Sequence, residues 1–103
     1  MTVALGGGFG GKPRPALIVQ ADAFETIDTI VVALFTSDLS DAAPVRPRFQ
    51  PTSRNGLREV SDLMVDVIVT GRRSKVGDVV GRLSVEEMAR ANRALLSLLG
   101  LAG

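Results

Sequence analysis

Apolar positions in this chain recur mostly with the period of strands, and once, near the end, with that of a helix. Residues 2–5 (TVAL) read as a short strand. Residues 16–20 (ALIVQ) are almost continuously apolar, as expected of a strand covered on both faces. Residues 28–36 (DTIVVALFT) form a second such run, β-branched at Thr29, Ile30, Val31 and Val32. A turn or wide hairpin loop over 22–27 joins the two. Residues 37–44 are polar and turn-rich. Residues 45–50 set Val45, Pro47 and Phe49 against Arg46, Arg48 and Gln50, a period-2 pattern with one basic face that Pro47 restricts to a sheet edge. A turn follows over 51–56, and its Asn55-Gly56 pair predicts a tight hairpin. Residues 62–70 alternate Leu63, Val65, Val67 and Val69 with Met64, Asp66, Ile68 and Thr70, the pattern of another strand. A basic loop occupies 71–75, and 76–80 holds a short turn or strand.

The period changes at Ser84. Ser84-Val85-Glu86-Glu87 is a capping box, with Leu83 and Met88 placed as its hydrophobic staple. Met88, Ala91, Leu95 and Leu98 then recur at helical spacing, Glu86 and Arg90 stand as an i,i+4 pair, and Gly100 provides a C-terminal stop. The pattern predicts a helix over 84–99 whose Leu/Met stripe packs on the sheet. Short strands, tight turns and one terminal helix imply a mainly β fold, a small curled antiparallel sheet closed by that helix.

Composition narrows the chemistry. With 103 residues, residues 1–103 are read as one domain. Hydrophobic residues make up 46% and charged residues 22%, which marks a globular chain rather than a disordered one. No apolar run approaches the roughly 18 residues of a membrane span, and the first residues lack the pattern of a signal peptide, so a cytoplasmic protein without membrane contact is expected. The chain has no cysteine and no histidine. Disulfides, thiol nucleophiles, histidine triads and Cys/His zinc sites are thereby excluded. No carboxylate spacing indicates a metal site, because Asp22, Asp28, Asp38 and Asp41 lie in turns that favour Asp for backbone reasons. The net charge is only +1, but residues 44–76 hold Arg46, Arg48, Arg54, Arg58, Arg72, Arg73 and Lys75. Arginine's planar fork suits phosphate, although a solvated basic face explains the charge as well.

Gly6–Gly11 matches G-x-G-x-x-G, yet Pro13 and Pro15 stand where the required helix would begin, so a flexible loop is the better reading. The same prolines hold Arg14 extended at the mouth of the strand over 16–20. If that strand and 28–36 are antiparallel, the start of the first and the end of the second share one sheet edge. Arg14 and Thr36, with Ser37, would then be neighbours, able to hold a phosphate. Spacing alone leaves an ordinary surface arginine and a strand-ending threonine as the simpler account.

The segments RPALIVQADAF (14–24), ALFT (33–36) and NGLREVSDLMVDVIVT (55–70), with RRSKV (72–76) and the terminal helix, resemble the MazF/PemK toxins of bacterial toxin–antitoxin systems. The similarity runs in family order from about residue 12 to residue 99. It implies a small SH3-like barrel of antiparallel strands with a C-terminal helix, assembled as a homodimer. It also implies a metal-independent, sequence-selective endoribonuclease that cuts single-stranded RNA through attack of a 2′-hydroxyl, leaving a cyclic phosphate. On this resemblance Arg14 and Thr36 are the catalytic pair. RNA would be held by Lys12, Gln20, Ser37, Arg46, Arg48, Arg54, Arg72 and Arg73. Base stacking would fall to Phe9, Phe24 or Phe49 or to arginine planes, although Phe24 and Phe49 also read as core. The expected partner is an acidic, partly disordered antitoxin. The sequence departs from the family at Val69, where arginine is common, and in its glycine-rich first loop. A non-catalytic gyrase inhibitor of the same fold, like the CcdB toxins, and an inactive relative that only binds RNA or antitoxin are the competing readings.

Overall fold

The structure, a computed structural model, describes residues 2–5, 14–19, 27–39 and 46–101. Six strands and one helix follow in chain order: β1 (Thr2–Leu5), β2 (Pro15–Ile18), β3 (Thr29–Thr36), β4 (Arg48–Phe49), β5 (Ser61–Arg72), β6 (Val76–Gly81) and α1 (Val85–Leu98). A 3-10 turn, Arg73–Lys75, links β5 to β6. The strands make one sheet in the order β4-β5-β3-β2-β1-β6, with every pairing antiparallel. The two outer strands do not pair among the described residues, so the sheet is curled but not closed. The turn at Arg54 bridges part of the gap, its carbonyl accepting the Arg82 N–H at 2.8 Å.

The doubly apolar strands have the burial their pattern implies. In β3, Ala33 and Phe35 join Leu17, Phe49, Leu57, Leu63, Val65, Leu83 and Ala91 under the helix. The alternate residues Ile30 and Val32 meet Ala16 on the other face. Phe35 and Phe49 meet edge to face with centroids 6.0 Å apart, and the Arg90 guanidinium lies 4.6 Å above the Phe49 ring. Arg90 also donates to the Arg48 carbonyl, so it ties the helix to β4 rather than serving as the i,i+4 partner of Glu86. Phe49, only 1% exposed, is core and offers no face for a base.

The helix begins and ends as its sequence dictates. The Ser84 hydroxyl accepts the Glu87 N–H while the Glu87 carboxylate accepts the Ser84 N–H, which completes the capping box. At the other end Gly100, with φ +72°, donates to Ser97, and Leu101 donates to Leu96, a Schellman stop.

Three expectations are corrected. The strand expected over 16–20 ends at Ile18 as β2, and Gln20 lies outside the described residues. The period-2 segment over 45–50 shortens to β4 at the sheet edge. Asn55-Gly56 is not a two-residue hairpin. Asn55 is fully buried, and its side chain replaces the ladder as the organiser of the loop. Its Oδ1 accepts the N–H groups of Thr52 and Leu57, each at 3.0 Å, and its Nδ2 donates to the Gln50 carbonyl and to Glu87 Oε2, each at 2.9 Å.

The long strand β5 is also not regular. Ala33 pairs with Ile68, but its neighbour Leu34 pairs with Met64, so Val65, Asp66 and Val67 bulge out of the ladder. The bulge bends β5 so that Leu63 and Val65 reach the core under the helix while Val69 packs on the opposite face.

Candidate active site

The register between β2 and β3 decides how the expected pair is placed. Ala16 pairs with Leu34 and Leu17 with Ala33. Extending that register past the end of the ladder sets Arg14 opposite Thr36. On its other side Thr36 pairs with Asp62 of β5. The β2, β3 and β5 ends therefore lie side by side at one edge of the sheet, about 4.8 Å from strand to strand.

A groove of about 940 Å³ opens over this edge. It is lined by Arg14, Pro15, Phe35, Thr36, Ser37, Asp38, Gly56, Arg58, Glu59, Ser61 and Val80. Arg14 is exposed and has no ion pair among the described residues. Thr36 Oγ1 accepts the Asp38 N–H at 3.1 Å. That bond uses a lone pair and leaves the hydroxyl proton to donate into the groove. A guanidinium and a hydroxyl donor thus face one open space, an arrangement able to hold a phosphodiester and to stabilise negative charge growing on its oxygens.

The remaining expected contacts divide by position. Ser37 lines the same groove. Arg46 and Arg48 do not, and both are engaged. Arg48 forks onto Asp62, with Nε at 2.8 Å and Nη2 at 3.2 Å from its oxygens, and Asp62 is only 2% exposed. Arg46 forks onto Asp66 in the same way at 2.8 and 2.9 Å. The hydrogen bond from Arg46 holds the Asp66 carboxyl below its ordinary range and raises the Arg46 guanidinium above its own. Arg54 is exposed on the turn beside β6 and does not line the groove. Arg72 pairs with Thr29, seven residues along β3 from Thr36, or about 23 Å away at the rise of a strand. Arg73 is at the same far end, its Nε donating to the Ile27 carbonyl. Lys12, Gln20, Phe9, Phe24 and the Gly6–Gly11 loop lie outside the described residues. Among the described residues no three Asp, Glu, His or Cys side chains are grouped to hold a metal ion.

Sequence reasoning missed the far wall of this groove. Arg58 and Glu59 lie between the supposed hairpin and β5, where no periodicity marks them, and Ser61 is the first residue of β5, one before the strand start expected at 62. Ser61, only 4% exposed, donates its hydroxyl to the Glu59 carbonyl at 2.9 Å and so holds the backbone there. The available signal was their position immediately before Asp62, the partner of Thr36.

Residues 2–99 match the family of PemK-like, MazF-like toxins of type II toxin–antitoxin systems. The chain belongs to the PemK/MazF toxin family. Among PemK/MazF relatives, it is 45% identical over 102 residues to the probable endoribonuclease MazF of Mycolicibacterium smegmatis, covering 99% of this chain and 94% of that protein. It is 30% identical over 92 residues to endoribonuclease MazF6 of Mycobacterium tuberculosis, covering 87% of this chain and 81% of that one. Solved structures share the fold. Mycobacterium tuberculosis toxin MazF-mt6 superposes with a TM-score of 0.83 at 19% identity, over 99% of this chain and 98% of the other. An endoribonuclease in complex with its cognate antitoxin, from a mycobacterial species, superposes with a TM-score of 0.82 at 24% identity, over 99% and 93%. This PemK/MazF chain therefore carries its Arg14–Thr36 groove on the fold those toxins use.

Proposed function

We propose that this protein is the toxin of a toxin–antitoxin system and acts as an endoribonuclease on single-stranded RNA, with Arg14 and Thr36 at the scissile phosphate. The observation that carries the site is the register that sets Arg14 opposite Thr36 across an open groove. The endoribonuclease MazF proteins of mycobacteria among its relatives support the activity. They do not favour the gyrase-inhibitor or inactive readings.

In this mechanism the Arg14 guanidinium binds the non-bridging oxygens of the phosphodiester. Thr36 donates its hydroxyl proton to the oxygen on which charge grows as the adjacent 2′-oxygen attacks phosphorus. The 5′-oxygen leaves, and a 2′,3′-cyclic phosphate remains. The cognate-antitoxin complex of a structural relative supports an antitoxin partner for this chain too. An acidic, partly disordered antitoxin segment, a homodimer and a cytoplasmic setting complete the proposal. No helix among the described residues is long and apolar enough to cross a membrane.

The test is cleavage of a long single-stranded RNA by the purified protein in EDTA, beside Arg14→Ala and Thr36→Ala. Removing one donor to the developing charge costs roughly 100- to 1,000-fold in rate, and each variant is expected to fall by that factor. Full cleavage by Arg14→Ala would remove the site assignment. Growth arrest in cells by a protein that cuts no RNA would return the gyrase reading.

A further inference from the structure

The mechanism above leaves the 2′-hydroxyl proton without an acceptor. A guanidinium hardly ever deprotonates, so Arg14 is suited to hold a phosphate and not to begin the reaction as a base. Thr36 has its oxygen occupied by the Asp38 N–H and serves as a donor. The described chain has no histidine to fill the role. The groove itself supplies carboxylates, Asp38 and Glu59.

We infer that Glu59 is the general base that takes the proton from the 2′-hydroxyl, an assignment that rests on the ribonuclease reading of this same site. Displacement at phosphorus places the attacking and leaving oxygens roughly in line, so the groups that serve them belong on opposite flanks of the phosphate. At this edge of the sheet Thr36 is central. Arg14 stands on its β2 flank, and the segment running into β5 stands on the other. Glu59 is on that second flank, three residues before the Asp62 that pairs with Thr36. Asp38 follows Thr36 on the central strand's own exit and is bound to it through its backbone. Asp62 is buried and engaged by Arg48. Glu59 is therefore the carboxylate placed away from Arg14 and free of any ion pair among the described residues.

The local structure supports the role. The buried Ser61 hydroxyl donates to the Glu59 carbonyl and holds the backbone, while the side chain stays exposed along the groove. The charged groups around that groove are Arg14 from β2, Asp38 from the exit of β3, and Arg58 from Glu59's own segment. The step balances. The 2′-O–H bond breaks and its proton passes to the Glu59 carboxylate. The 2′-oxygen forms a bond to phosphorus, and the bond from phosphorus to the 5′-oxygen breaks. The departing 5′-oxygen is stabilised by the charged Arg14 guanidinium beside it and takes its proton from water. The products are a 2′,3′-cyclic phosphate and a 5′-hydroxyl, with no oxidant or co-reactant required.

Single-turnover cleavage by wild type, Glu59→Gln, Glu59→Asp and Asp38→Asn tests the assignment. Binding is read in parallel with an uncleavable 2′-O-methyl oligonucleotide. Glu59→Gln is expected to slow cleavage about 100-fold, the lower end of what a positioned base contributes, with oligonucleotide affinity within about threefold of wild type. The wild-type rate falls on the acid side as the base is protonated. That limb disappears in Glu59→Gln, persists in Asp38→Asn, and returns with partial rate in Glu59→Asp, none of which a merely structural role would produce. If Glu59→Gln cleaves within about threefold of wild type, or keeps the acid limb, Glu59 is not the base even though the ribonuclease reading stands. If that limb vanishes in Asp38→Asn instead, the base is Asp38. A wild-type protein that cuts no RNA would remove both readings together.

Discussion

Asn55→Ala tests how the groove's far wall is held, and the structure sets its size. The substitution removes the side-chain bonds to the Thr52 and Leu57 N–H groups, the Gln50 carbonyl and the Glu87 carboxylate. Gln50 and Thr52 are exposed, so water replaces Asn55 there at little cost. Leu57 is buried at 6% exposure, and its orphaned N–H costs about 1–3 kcal/mol. A bond to a charged group such as Glu87 is worth about 1.5–3 kcal/mol, reduced here because that carboxylate is only half-buried. Together these give a loss of about 3 kcal/mol, a large part of the roughly 5–10 kcal/mol expected for a domain of this size. At about 4–8 °C per kcal/mol, the melting temperature should fall by roughly 12–24 °C. Urea unfolding followed by circular dichroism measures the loss directly. The pH dependence gives a second check. Burial pushes the Glu87 carboxyl up, but the Ser84 N–H, the Asn55 amide, the Ser84 hydroxyl and the Arg90 charge together hold it below its ordinary value. A depressed carboxyl contributes stability that is present above its unfolded pKa and is lost as pH falls through the folded one. Part of that contribution is absent without Asn55, so the wild-type and variant stabilities should converge as the solution is acidified. A loss under about 1 kcal/mol, or a gap unchanged by pH, would refute the view that this side chain organises the loop.

Gly56→Ala should cost about 2–4 kcal/mol, because φ is +74° and a Cβ would stand 2.3 Å from the Val80 carbonyl oxygen. Gly100→Ala, at φ +72° but with nothing within 4 Å, should cost only about 1 kcal/mol by the same denaturation assay. Arg48→Met leaves the buried Asp62 carboxylate unpaired and should destabilise by about 3 kcal/mol. Asp66→Asn breaks an exposed pair and should change stability by less than about 1 kcal/mol at neutral pH. Because the Asp66 carboxyl is depressed in the folded chain, that small contribution is present above its unfolded pKa and vanishes on acidification.

The elements that local chemistry specifies were legible in the chain. The capping box at Ser84 and the glycine stop at Gly100 mark both ends of the helix because each is a bond between near neighbours. The continuous apolar run of β3 implied cover on both faces, since alternate residues of a strand point to opposite sides of a sheet. A basic pattern interrupted by Pro47 implied an edge, and β4 is one.

Misreadings arose where a residue's partner is distant in sequence. Asn55-Gly56 has the composition of a hairpin turn, yet the bond to Glu87 that helps bury Asn55 comes from a helix 32 residues away. Arg46 and Arg48 look like free phosphate ligands until the bent β5 brings Asp66 and Asp62 against them.

The sequence by itself determined the strand and helix periods and the helix caps, which depend on local pattern, and its resemblance to the PemK/MazF toxins supplied the candidate pair Arg14 and Thr36. Tertiary structure alone decided which groups share the groove. The antiparallel register sets Arg14 opposite Thr36 and carries Glu59 to the other flank, while Arg72 and Arg73 lie at the far end of the same sheet. Charge along a chain records how many cations are present, and only pairing between strands fixes which of them can meet one phosphate.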